Sequence, residues 1–275
     1  MSRSRIACLA LAAGAILLVG AVRPADAQQR AEPQLLLTIM GGASSGATLY
    51  QDIHQPLDLL EDPFATDTLQ LGRRLSTAVL LGASATYFPK PNIGLTAEIS
   101  FIGFGRDDSC TMYYTDPTNA RVGWNEQTCN NIAGVGGSAS TIAFEVGGIY
   151  RAFPRGGVKP YLRGQVGITS RASSTVSLVG SFVDGNNITQ NRLIVDDQDP
   201  SSLDPTATFG IGVMLPFATG YQARLELRDK LMSVNRITGP ADALGQAPTE
   251  RMLMNSVGLT FMLDIVLEQR RGRRY

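Results

Sequence analysis

The feature that most constrains this chain is a period of two. Ile93, Leu95, Ala97, Ile99 and Phe101 alternate with Gly94, Thr96, Glu98 and Ser100. Tyr221, Ala223, Leu225 and Leu227 alternate with Gln222, Arg224, Glu226 and Arg228. Leu253, Asn255, Val257, Leu259, Phe261 and Leu263 alternate with Met254, Ser256, Gly258, Thr260 and Met262. A helix would scatter these sets around its circumference, whereas a strand puts each on one face. Five further segments follow the same pattern: 34–42 (apolar on both faces), 75–85, 141–150, 162–168 and 207–215. The sequence therefore predicts eight strands of roughly ten residues, long enough to cross a bilayer at a tilt.

The connections alternate in length. Short ones at 88–92, 153–157 and 216–220 carry the Pro and Gly of tight turns. Long ones at 43–73, 105–138, 171–204 and 230–250 are rich in Asp, Asn, Ser, Gly and Pro. A soluble sandwich or lipocalin-like barrel has no reason to segregate its loops. An antiparallel barrel in an outer membrane does, with short turns in the periplasm and long loops outside. Both chain ends are then expected in the periplasm. Tyr87, Phe88, Tyr150, Phe153, Phe217 and Tyr221 cluster at the short turns, where an interfacial aromatic girdle would lie. Residues 175–195 offer a further hairpin about 184–187 and a ten-stranded alternative. Arg192 would then meet lipid, so an extracellular hairpin above eight strands is favoured.

The N-terminus reads as a secretory leader. Arg3 and Arg5 precede an apolar run over 6–22, and Ala25-Asp26-Ala27 is a small-residue cleavage site. An uncleaved anchor is the weaker reading, because the run is rich in Ala and Gly. Cys8 lies too early to be a lipid-attachment cysteine. The expected organisation is signal peptide 1–27, short periplasmic N-terminus 28–33, barrel 34–263 and basic periplasmic tail 264–275. Cleavage removes Arg3, Arg5, Arg23 and Asp26 from the 24 basic and 24 acidic residues, leaving a net charge of about −2. Near-neutrality without a basic stretch argues against a nucleic-acid partner. The mature part has no apolar run long enough for a transmembrane helix. Its two cysteines, Cys110 and Cys129, read as one disulfide in an oxidising compartment.

The pattern over 34–263 resembles small Gram-negative outer-membrane β-barrels of the OmpX and OmpA membrane-domain kind. The most specific piece of the resemblance is the last strand, where Ser256, Gly258, Phe261 and Leu263 are similar to that family's terminal assembly signal. The resemblance implies recognition by the outer-membrane insertion machinery. It departs at the end, because members often stop at the aromatic and this chain continues from Asp264 to Tyr275.

If the apolar faces meet lipid, Glu98, Glu145, Arg163, Arg224, Glu226 and Arg228 face inward, within one or two layers of each other. They are expected to form a charge network that plugs the lumen, since isolated buried charge is costly. The plainer alternative is a set of separate, solvated side chains. No catalytic constellation emerges. His54 is the single histidine, with Asp52 and Asp58 nearby, and no motif joins it to a serine. The glycines over 134–137 lack the strand-then-helix setting of a phosphate cradle. The acidic run 196–199 lacks the spacing of a calcium loop, so no metal or cofactor is expected. The sequence reading is a non-enzymatic, monomeric barrel with a structural or surface-interaction role through its four outer loops. A narrow channel for small solutes and an outer-membrane lipid-modifying enzyme stand as alternatives. The loops' partner is not readable.

Overall fold

The computed structural model describes residues 34–59, 62–114, 122–134, 136–154, 157–171, 177–196, 203–242 and 244–268. The expected signal peptide, the 28–33 segment and the end of the basic tail (269–275) lie outside them. The elements are β1 (Gln34–Ser44), β2 (Thr48–Leu59), β3 (Asp62–Phe88), β4 (Ile93–Tyr113), α1 (Val122–Gly134), β5 (Gly137–Arg151) and β6 (Lys159–Arg171). They continue with β7 (Leu178–Val183), β8 (Thr189–Val195), β9 (Leu203–Ala218), β10 (Tyr221–Ile237) and β11 (Thr249–Glu268).

Eight strands close into a ring in the order β1-β11-β10-β9-β6-β5-β4-β3, and β3 returns to β1. Every neighbouring pair is antiparallel. All eight predicted segments lie in this ring. Closure follows from the sequence, because an open edge in hydrocarbon would leave backbone N–H and C=O groups unpaired. The short turns need residues that reverse the chain without a ladder. Gly220, at φ 81° between β9 and β10, supplies the left-handed backbone that a larger residue resists.

The alternation sorts side chains as read. Ile39, Val79, Leu95, Val146, Val166, Phe209, Leu227 and Phe261 point outward and are exposed, whereas Thr38, Ser100, Glu145, Thr208 and Thr260 point inward and are buried. The outward apolar run stops at Val79 on β3, Phe101 on β4, Leu227 on β10 and Val257 on β11. Beyond it the outward positions become Arg74, Asp107, Asp229 and Asn255. The membrane boundary lies there, and the strands continue past it as a collar in water.

That collar replaces much of what reads as long loops. β2 pairs with the upper part of β3, which pairs with β4 out to Tyr113, and β10 pairs with β11 out to Ile237. The loop boundaries 43–73, 105–138 and 230–250 are corrected accordingly. The 175–195 hairpin exists as the separate two-stranded sheet β7–β8, outside the ring, so the ring holds eight strands and not ten. Helix α1 is unpredicted. The tail boundary also moves, because β11 runs to Glu268, carrying 264–268 into the barrel wall.

The lumen charge network and the outer cap

The inward face of β10 carries Arg224, Glu226, Arg228 and Lys230 at alternate positions, the densest charge of any strand. β9 makes space for it. A Cβ on Gly210 would lie 2.8 Å from Cδ of Glu226, and one on Gly212 would lie 2.8 Å from the Tyr161 hydroxyl. Glycine at these positions leaves that space to both side chains.

Four of the predicted residues meet as a closed ring. Arg163 donates from Nη1 to Glu98 at 2.7 Å and from Nη2 to Glu226 at 2.6 Å. Arg228 donates from Nη1 to the other Glu98 oxygen at 2.9 Å and from Nε to Glu226 at 3.1 Å. The Tyr161 hydroxyl donates to the second Glu226 oxygen at 2.7 Å. All four charged side chains are essentially inaccessible. Each guanidinium bridges two carboxylates from different strands, so the ring ties β4, β6 and β10 across the lumen.

The other two predicted members stand apart. Arg224 pairs with Asp264 through Nε at 2.8 Å, one layer nearer the short turns. There Thr38 donates to Asp264 at 2.7 Å and Gln222 donates to it at 2.6 Å. Glu145 accepts from Lys230 at 2.8 Å and from Thr208 at 2.7 Å, one layer further out. The single network is therefore corrected to three stacked layers. Arg224 serves an aspartate placed by the sequence reading in the tail, and Glu145 serves a lysine placed in a loop. Both partners keep the parity of their strand, Lys230 continuing Arg224-Glu226-Arg228 and Asp264 continuing Thr260-Met262. That parity was the available signal. The layers hold Arg163, Arg224, Arg228 and Lys230 against Glu98, Glu145, Glu226 and Asp264 and are charge-neutral.

Below the layers, Leu36, Phe88, Ile149, Tyr161 and Met214 form an apolar floor. Phe88 belongs to it, 1% exposed, with the Arg151 guanidinium 3.4 Å above its ring. It is not an interfacial aromatic, because its parity on β3 is the inward one. Tyr87, Tyr150, Phe153, Phe217 and Tyr221 are exposed at that end, as a girdle requires. In the assembly-signal segment, Phe261 faces out. Ser256 is buried and donates to the Ser45 carbonyl at 2.7 Å, and a Cβ on Gly258 would strike Ala43 and Ser44 across the seam.

Above the layers the chain builds a cap. Cys110 of β4 is disulfide-bonded to Cys129 of α1, with Cα atoms 5.4 Å apart. Asn125, Thr128, Cys129 and Ile132 make the buried face of α1, and Asn125 donates to Asp67 at 2.7 Å. The adjoining side of α1 blunts the edge of β7. Asn131 and Gln127, one turn apart, accept the N–H groups of Ser181 and Val183 at 3.1 and 3.0 Å, and Trp124 stacks on Phe182 with centroids 5.5 Å apart. Arg73, buried, grips Asp108 and donates to the Ser177 carbonyl at 3.0 Å, tying the collar to the start of β7. Gln55 clamps the β10–β11 connection, donating to the Ala241 carbonyl at 3.1 Å and accepting its N–H at 2.6 Å.

His54 lies on β2, exposed, beside the Tyr113 ring at 6.4 Å. It is a strand residue and not a loop one. Asp52 accepts from Gln70, while the Asp58 side chain and residues 197–200 lie outside the described residues. Asp196 forms an isolated bridge with Gln246. Among the described residues no group of His, Cys, Asp or Glu is arranged to hold a metal ion.

A closed antiparallel ring, apolar outside and charged within, defines a transmembrane β-barrel of the bacterial outer membrane, and this chain is one. Comparison with known proteins adds no family beyond that class. No family model matches the chain, and no curated protein matches its sequence. Among solved structures it is similar to Neisserial surface protein A, at 9% identity and TM-score 0.41 over 84% of this chain and 96% of that one. It is also similar to outer membrane protein AlkL, at 10% identity and TM-score 0.40 over 92% and 98%. The Escherichia coli outer membrane protease OmpT follows at 9% identity and TM-score 0.33 over 86% and 96%. Likeness of this degree carries no argument about function.

Proposed function

We propose that this protein is a plugged barrel whose working part is the architecture it holds outside the cell: the collar, α1 and the β7–β8 hairpin. The observation that carries the reading is the ring in which Arg163 and Arg228 each bridge Glu98 and Glu226 across the lumen. A solvated path would have to break four charge-assisted hydrogen bonds between inaccessible groups, each considerably stronger than a neutral one. In this reading the chain is not an enzyme. His54 has an aromatic neighbour on an open strand face, which is no setting for an oriented general base.

Planar-bilayer recording tests it. The wild-type protein should insert without stepwise conductance, and Arg163→Ala combined with Arg228→Ala should open one. Steady conductance of the wild type would favour the narrow-channel reading and overturn this one.

A further inference from the structure

The lumen changes character above the Glu145–Lys230 layer. There it is lined by Leu75, Phe104, Ala139, Met232, Val234 and Met254, around a cavity of about 30 Å³. One water requires roughly 10–15 Å³, so space is not what decides the occupant. Hydrogen-bonding capacity is. Ser140 and Ser233 border the cavity from the outward parity of β5 and β10, and Thr141 and Thr169 line it from the inward one, but the threonine hydroxyls turn into the wall and donate to the carbonyls of Ser170 at 3.0 Å and Asp204 at 3.2 Å. What they leave facing the cavity is methyl. Arg171, which also lines it, pairs through Nη2 with Asp204 at 2.7 Å. A buried water needs two to four polar partners, and apolar cavities that cannot supply them stay dry and accept apolar guests.

We propose that this chamber is a binding site for a small uncharged apolar molecule, of the size of a xenon atom or a short hydrocarbon. Two features suit it to that task. The first is its lining, since methionine is unbranched and polarizable and re-packs around guests of different shape. The second is that it is blind. Beneath lie the charged layers, which an apolar solute cannot enter without separating ion pairs. Continuous with it above is the apolar cluster containing Cys129 and Ile132 of α1, Leu178 of β7 and Ile194 and Val195 of β8. A guest therefore enters and leaves on the outer side, past the cap. The site holds whether or not the plug leaks ions.

The test uses full-length protein in lipid nanodiscs, labelled on methionine methyl carbons and titrated with xenon and, separately, with propane. Met232 and Met254 should shift saturably. Met214, buried in the floor beneath the charged layers, should not move, which controls for guest dissolved in lipid. Ala139→Leu should fill the chamber and abolish the saturable shift while the barrel keeps its heat-modifiable mobility. Should that variant fail to fold, Val234→Phe provides the same test. Shifts that rise linearly at every methionine, the absence of a shift at Met232 and Met254, or saturable binding that survives a folded filling variant would each overturn the proposal. Equal saturable shifts at Met214 would overturn its blind geometry.

Discussion

At the scale of single residues, Arg163 carries the sharpest expectation. Its guanidinium spans Glu98 and Glu226, so Arg163→Ala leaves two buried carboxylates sharing Arg228. Breaking a buried pair from one side costs about 3–5 kcal/mol. A drop of that size should appear in the urea unfolding midpoint of the protein refolded in micelles, and a loss below about 1 kcal/mol, typical of an exposed pair, would contradict the burial. Asp184 makes a gentler prediction. It sits in the β7–β8 turn, where the N–H groups of Ile188 and Asn186 and the Gln190 amide donate to it. The Ile188 N–H is the main cause that holds its carboxyl below the usual carboxylate range. A carboxylate with a lowered folded pKa adds stability above its unfolded pKa and loses it as pH falls through the folded one. The turn should therefore persist below the ordinary carboxylate range and loosen only at lower pH. Amide shifts of Asn186 and Ile188 followed by NMR should show that low midpoint, and Asp184→Asn should remove the titration.

At the scale of elements, the disulfide and the glycines of β9 give separable outcomes. Reducing Cys110–Cys129 frees α1 and with it the side-chain amides that cover the β7 edge. In the chain-entropy model a bridge across 19 residues contributes about 3 kcal/mol, spent here on the cap. Thiol reduction should make the cap sensitive to limited proteolysis while the barrel still migrates as folded. Unfolding of both together would show that the cap is not a separate unit. Gly210→Leu should act in the opposite place, pushing Glu226 off the axis and destabilising the barrel with the cap disulfide intact, measured by the same urea midpoint. Period two in a membrane wall is legible because lipid enforces it at every outward position, as between Ile93 and Phe101. In the collar, water outside relaxes the pattern at Arg74, Asp107 and Asp229, so the strands there read as loop. α1 has its buried face at helical spacing, Asn125, Thr128, Cys129 and Ile132, but half of that face is polar. Phe88 lies inside and not at the interface, because proximity to a turn says nothing about parity.

At the scale of the whole molecule, the barrel separates into a lipid-facing band, three charged layers, a small apolar chamber and a cap. The proposed function puts the cap outside. Protease added to intact cells should cut between β6 and β9 and spare the C-terminal residues, and cleavage confined to the C-terminus would invert the topology. Neutrality of the three layers depends on side chains from strands far apart in sequence. Glu98, Glu145, Arg163 and all of β10 precede the last strand, whereas Asp264 arrives with β11.

That placement gives the order of assembly a physical meaning. Until β11 pairs with β10 and β1, Arg224 is a cation without its carboxylate and the three layers carry one surplus positive charge. Asp264 removes it, and in the same contact Thr38 of β1 donates to that carboxylate, so the first and last strands are joined by a side-chain clasp as well as by their ladder. Closing the seam and neutralising the charged layers are one event. A chain ending before Asp264 would have a seam that breathes, however well its other strands had zipped, and Asp264→Asn should lengthen the lifetime of the open-seam form during refolding without shifting the strand register.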